Sequence, residues 1–105
     1  MGFLTEPFVT VKPSNIKLVE GENGTSDCGA SGHLKIIWKY DDGRDLDSNH
    51  FKVLDGTLFI SNAQTKHSGK YMCAIESDTK IKAIVTIHVQ GMLHREWLVF
   101  LDMSS

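Results

Sequence analysis

The sequence predicts an all-β fold, a sandwich or a barrel, on three observations. From residue 8 to about residue 90 the apolar residues alternate along the chain or gather in short β-branched runs, and no stretch keeps a helical period. Turn residues cut these runs at intervals of roughly 8–12, the rhythm of short strands in a sandwich or barrel. Two Asp-Gly pairs, Asp42-Gly43 and Asp55-Gly56, fall after or between such runs. Asp-Gly readily takes the positive φ values that tight hairpin turns demand.

Taken in order, residues 8–11 begin a strand that Pro13 interrupts and residues 15–19 resume. A proline inside a strand run has no N–H for the ladder and marks a sheet edge. Residues 21–24 form a turn cluster, and residues 34–40 are the clearest early strand. Residues 41–44, Asp-Asp-Gly-Arg, read as a hairpin turn. Residues 51–54 and 57–60 flank Asp55-Gly56 as a second hairpin. The last two strands, 70–76 and 81–89, are joined through residues 77–80.

Length and charge narrow what such a chain does. With 105 residues it holds one domain at most. Apolar residues at 41% and charged residues at 23% are ordinary for a globular domain and exclude disorder. Eleven basic against thirteen acidic side chains leave no electrostatic footprint for nucleic acid or an anionic membrane. No apolar run approaches the roughly 18–20 residues of a membrane span. Residues 1–4 lack the basic start and apolar stretch of a secretory signal, and Glu6 stands where a myristoylation motif needs Ser or Thr. The chain is expected to divide into a leader or linker over 1–7, a domain over 8–90 and, over 91–105, an extension or the start of a following segment. It reads as a piece of a larger protein.

Cys28 and Cys73 admit a disulfide, two independent thiols or half a metal site, and neither belongs to a Cys-x-x-Cys pair. Their surroundings say more. Trp38 follows Cys28 by ten residues within a strand, Tyr71 precedes Cys73 by two, Gly69 precedes it by four, and Leu58 and Ile60 alternate upstream. This arrangement resembles the immunoglobulin superfamily, and the short stretch between Trp38 and Leu58 resembles its intermediate set, typical of adhesion molecules, receptors and muscle giants. The resemblance implies a sandwich of two antiparallel sheets with Greek-key connections, and a Cys28–Cys73 disulfide covered by Trp38. It also implies a tyrosine corner at Tyr71, and a core containing Trp38, Tyr71, Leu58 and Ile60.

Two departures from the family pattern carry expectations. His67 stands where the family has an Asp paired with an Arg, so this corner is expected to be less firmly held. Gly24 and Ser26 face inward ahead of Cys28, so that strand is expected to pack weakly and to lean on the disulfide.

Period-two counting assigns the faces. Leu34, Ile36 and Trp38 read inward, as do Tyr71, Cys73 and Ile75, and then Ile81, Ala83, Val85, Ile87 and Val89. Strands C (34–40), F (70–76) and G (81–89) are neighbours in the resembled family. Their outer face would then carry Ile37, Met72, Ala74 and Ile84, rimmed by Lys35, Lys39, Glu76 and Lys82. An apolar centre with a charged rim is how protein-binding faces are built. The one sequon, Asn23-Gly24-Thr25, makes Asn23 a candidate glycosylation site.

Other chemistry is not indicated. His33, His50, His67, His88 and His94 scatter without metal-ligand spacing. Asp41, Asp42, Asp45 and Asp47 lack the spacing and closing Glu of a calcium loop. No phosphate loop, nucleophile constellation, cofactor motif or small-molecule site stands out. In the tail, Trp97, Leu98, Phe100 and Leu101 are expected to pack against something, such as a second copy of the chain. The sequence thus points to a non-enzymatic module of an extracellular adhesion or receptor protein. It is expected to bind a protein partner or a second copy through the C–F–G face. The competing reading is a structural module of an intracellular muscle or cytoskeletal protein with reduced cysteines.

Overall fold

The computed structural model describes residues 7–91, so the expectations for the tail lie outside the described residues. Eight strands follow one another: β1 (Val9–Lys12), β2 (Asn15–Val19), β3 (Gly24–Ala30), β4 (Ile36–Tyr40), β5 (Phe51–Leu54), β6 (Thr57–Ile60), β7 (Gly69–Ile75) and β8 (Asp78–Gln90). They form two four-stranded sheets, ordered β1-β3-β6-β5 and β2-β8-β7-β4. The chain crosses between sheets at every connection except the β5–β6 and β7–β8 hairpins, which is a Greek-key sandwich. One pair departs from the antiparallel expectation. After Pro13 the chain moves to the other sheet without reversing, so β2 lies parallel to β8.

The core is the seam between the sheets, and a covalent and hydrogen-bonded junction ties the two sides. Cys28 on β3 is bonded to Cys73 on β7 across a Cα–Cα distance of 6.5 Å. Trp38 on β4 sits directly opposite Cys73 in the ladder and is buried. Its indole Nε1–H reaches back to the first sheet and donates to the Gly56 carbonyl at 2.9 Å. The same oxygen accepts the Cys28 N–H at 3.1 Å. Leu58, Ile60, Tyr71, Val85 and Ile87 close around this junction.

Gly56 is needed there for two reasons. The β5–β6 turn places Asp55 at φ 51° and Gly56 at φ 81°, both left-handed, as a two-residue hairpin turn of the primed kind requires. A Cβ on Gly56 would also stand 2.6 Å from the Cys28 carbonyl oxygen.

Several expectations are corrected. The Asp42-Gly43 turn forms, with Tyr40 N–H donating to the Arg44 carbonyl and Gly43 N–H to that of Tyr40, but no strand follows before Phe51. Residues 44–50 are polar apart from Leu46, which alone packs against the core, so they offer no alternating face to pair. Leu34 is 39% exposed rather than inward, because β4 begins only at Ile36. The last hairpin turns at Glu76-Ser77 rather than through residues 77–80, and a register shift between Ala74 and Ile75 absorbs the extra residues.

Strand β3 is also closely packed, not weakly. Gly24 does face the core, but Leu18 fills the space, and a Cβ at Gly24 would meet both Leu18 methyls at 3.2 Å. Ser26 is fully buried and its hydroxyl donates to the Pro13 carbonyl at 2.8 Å. Small residues let the β1–β2 crossover lie against β3.

The Gly56→Ala variant should lose about 2–5 kcal/mol, summing left-handed strain of about 1–2 kcal/mol and overpacking of about 1–3 kcal/mol. Gly43→Ala, at φ 93° with nothing within 4 Å of its Cβ, should lose the strain alone. Urea unfolding midpoints compare the two. Equal losses would mean that the contact with Cys28 is not tight.

Candidate protein-binding face

Ladder register places the predicted face residues side by side. Across β4, β7 and β8 one row reads Ile37, Ala74, Lys82, and the next reads Lys39, Met72, Ile84. These are direct cross-strand neighbours, the pairs that interact on a sheet face. Lys35 and Glu76 continue the rim: Glu76 N–H donates to the Lys35 carbonyl at 2.9 Å, and the side chains pair at 3.6 Å.

The same register corrects the expected centre. Met72 and Ala74 point to the outer face, yet Met72 is 7% exposed and Ala74 is fully buried. Both lie on a strand flanked on either side, where the aliphatic stems of Lys39 and Lys82 and the branched Ile37 and Ile84 stand directly opposite them. What remains accessible is Ile84, at 38%, half-buried Ile37, and the charged rim of Lys35, Glu76 and Lys82. Lys39, half-buried, is held by Asp45 at 2.6 Å. Asp45 thus belongs to the rim, a role the sequence reading missed.

Strand β2 widens the face, which the sequence reading also missed. Lys17 sits opposite His88, and Asn15 opposite Thr86. The signal was the alternation of Ile16 and Leu18 beyond Pro13.

One end of the sandwich is fastened by the tyrosine corner. The Tyr71 hydroxyl donates to the His67 carbonyl at 2.5 Å. His67 replaces the expected ion pair with other contacts, so the corner is not loose. It is 2% exposed, its Nδ1 accepts the Gln64 N–H at 2.9 Å, and its ring packs edge-on against Phe51 at 5.2 Å. The Gln64-x-x-His67 spacing is the sequence signal for this reciprocal cap, because the Gln64 side chain in turn caps the backbone N–H of His67. Burial, and then the neighbouring His50, push the His67 pKa below its ordinary value, while Asp47 opposes the shift.

Asn23 is exposed in the turn just ahead of β3. Its side-chain oxygen accepts the Asn62 N–H at 2.9 Å, and a glycan on the amide nitrogen would leave that bond intact.

The immunoglobulin domain family model matches residues 6–77. Human hemicentin-1 is 39% identical over 70 residues, which is 64% of this chain and 1% of that protein. Human contactin-1 is 34% identical over 88 residues, which is 70% of this chain and 8% of that protein. The chain therefore spans a small fraction of these relatives. Among solved structures, the first immunoglobulin domain of Dpr1, bound to that of DIP-eta, superposes with a TM-score of 0.64 at 26% identity, covering 80% of this chain and 96% of that one.

Because the folded His67 pKa lies below the unfolded value of about 6.5, the unfolded chain takes up this proton more readily. Stability from this group is therefore complete above pH about 6.5 and falls as pH drops through that value, by at most about 1.4 kcal/mol per pH unit. Unfolding midpoints at pH 7.5 and 5.0 measure the loss, and His67→Asn, which keeps an acceptor for Gln64, should shrink it. An unchanged pH dependence in that variant would assign the effect elsewhere.

Proposed function

The chain belongs to the immunoglobulin domain family, and on that premise we propose that it is a non-enzymatic protein-binding module of a cell-surface adhesion or receptor ectodomain. It presents the outer face of β4, β7 and β8 to a partner. The observation that carries this reading is the ladder register, which sets Ile37 and Ile84 around a dry floor of Met72 and Ala74 and rims them with Lys35, Lys39, Glu76 and Lys82.

The mechanism is rigid display. A buried floor fixes the apolar side chains above it, so little ordering entropy is lost on contact. The charged rim favours correct orientation and a fast encounter more than it adds affinity. Met72 and Ala74 act from beneath, and direct contact falls to Ile84, Ile37 and the rim. The solved Dpr1 domain bound to DIP-eta is a precedent for one such domain meeting another. The disulfide and the exposed Asn23 favour an oxidising compartment outside the cell.

Ile84→Asp should reduce binding of the tetramerised domain to cells displaying ectodomain proteins by about tenfold or more, the scale of a central contact. Sedimentation of the domain alone reads whether a second copy is the partner. Stability should fall by about 1–2 kcal/mol, the loss of strand propensity and of the cross-strand pair with Met72, which leaves the domain folded. Val53→Asp, at an exposed position on the other sheet, should leave binding unchanged. Equal loss in both variants, or in neither, would remove this face from the account. A mass decrease on treatment with peptide N-glycosidase is expected for the secreted protein, and the Asn23→Gln variant should lack it.

A further inference from the structure

We propose that the partner of this face is an acidic surface on a different protein, and not the same face of a second copy of the chain. This rests on the outer face of β4, β7 and β8 being the binding surface, and the charges set around Ile37 and Ile84 point to the sign of the partner.

Those charges do not balance. Side chains alternate along a strand, so the residues that share a side with Met72 and Ala74 follow from the ladder. Lys35 and Lys39 stand on either side of Ile37 along the chain, and Lys70 lies two residues before Met72. Lys82 sits opposite Ala74, and Lys17 on β2 sits opposite His88. These five lysines share the face with three carboxylates. Glu76 pairs with Lys35 at 3.6 Å and Asp45 with Lys39 at 2.6 Å. Asp41 follows β4 beside Lys70, whose carbonyl accepts the Asp41 N–H at 3.0 Å. At the hairpin end of β8, Asp78 and Lys80 offset one another. Five lysines against three carboxylates leave a surplus of two positive charges, on a chain whose net charge is −2. The surplus falls on Lys17 and Lys82, which are exposed and, among the described residues, take part in no ion pair.

Lys82 stands closest to the apolar centre. It shares a row with Ile37 and Ala74, and Ile84 follows two residues on, on the same side of β8. A partner that covers Ile84 takes water from the Lys82 ammonium as well. A charge desolvated at an interface is costly unless a counter-charge meets it. The nearest carboxylates of this face do not supply one, since Glu76 and Asp45 are engaged by Lys35 and Lys39. The counter-charge therefore comes from the partner, as Asp or Glu side chains beside an apolar patch that fits Ile37 and Ile84. A two-fold pair of the same face sets the surplus of one copy against that of the other, and like charges facing each other oppose association.

The test reads the association rate of the tetramerised domain with cells displaying ectodomain proteins, with sedimentation of the untagged domain alongside. At about 50 mM NaCl, Lys82→Gln should slow association by about twofold and Lys82→Glu by about fivefold or more, a grading that follows charge rather than side-chain length. Lys17→Glu should slow it too, and Lys52→Glu, exposed on the other sheet, should not. Raising NaCl to about 300 mM should slow the wild type and narrow the difference between the variants. The domain alone should sediment as a monomer at both salt concentrations. If Ile84→Asp lowers binding while Lys82→Glu and Lys17→Glu do not, the face is right and the acidic partner is wrong. A dimer that Ile84→Asp dissociates would make a second copy the partner and overturn the proposal. If Ile84→Asp has no effect, the face itself fails, and this proposal with it.

Discussion

The whole sandwich depends on one junction, where the Gly56 carbonyl accepts from both Cys28 N–H and the indole of Trp38. Cys28 belongs to the first sheet and Trp38 to the second, so a single backbone oxygen joins them. The disulfide joins the same two sheets a short distance away, and Trp38 stands directly opposite its Cys73 end. Removing water from this seam makes each of these bonds worth more and each unpaired group costlier. Glycine at position 56 follows from the crowding, since no side chain fits against the Cys28 carbonyl.

The consequence for function runs through β7. It carries Cys73 and Tyr71 on its inner side and Met72 and Ala74 on its outer side, and every residue from Tyr71 to Ile75 is buried. A strand pinned from within and flanked by β4 and β8 makes a stiff floor. On the proposed reading, the residues that stand on the floor, not those within it, are the ones offered to a partner. The face is therefore narrower than its apolar composition suggests, and more of its outline is charged.

Much of this was legible in the residues. The family resemblance named Trp38, Leu58, Ile60 and Tyr71 as core residues, and Asp55-Gly56 located a hairpin whose backbone has the two positive φ values that such a turn needs. The missed features share a cause: alternation along a strand reports which way a side chain points, not what stands over it. That is why Met72 and Ala74 point outward and are nevertheless buried. It is also why the strand carrying Gly24 and Ser26 packs closely: Leu18 covers Gly24 and the Pro13 carbonyl accepts from the Ser26 hydroxyl. The β2–β8 pairing and the meeting of Asp47, His50 and His67 depend on crossovers between distant segments, which no local pattern encodes.

The claim that one cross-sheet junction governs the scaffold is tested most directly by amide hydrogen exchange on the oxidised protein and on the same protein after reduction. If the account is right, reduction lowers protection together in β3, in β4 and β7, and at the β5–β6 turn, because the junction joins all of them. Loss confined to β3, with β4 and β7 still fully protected, would show that the sheets hold together without it and would contradict the account.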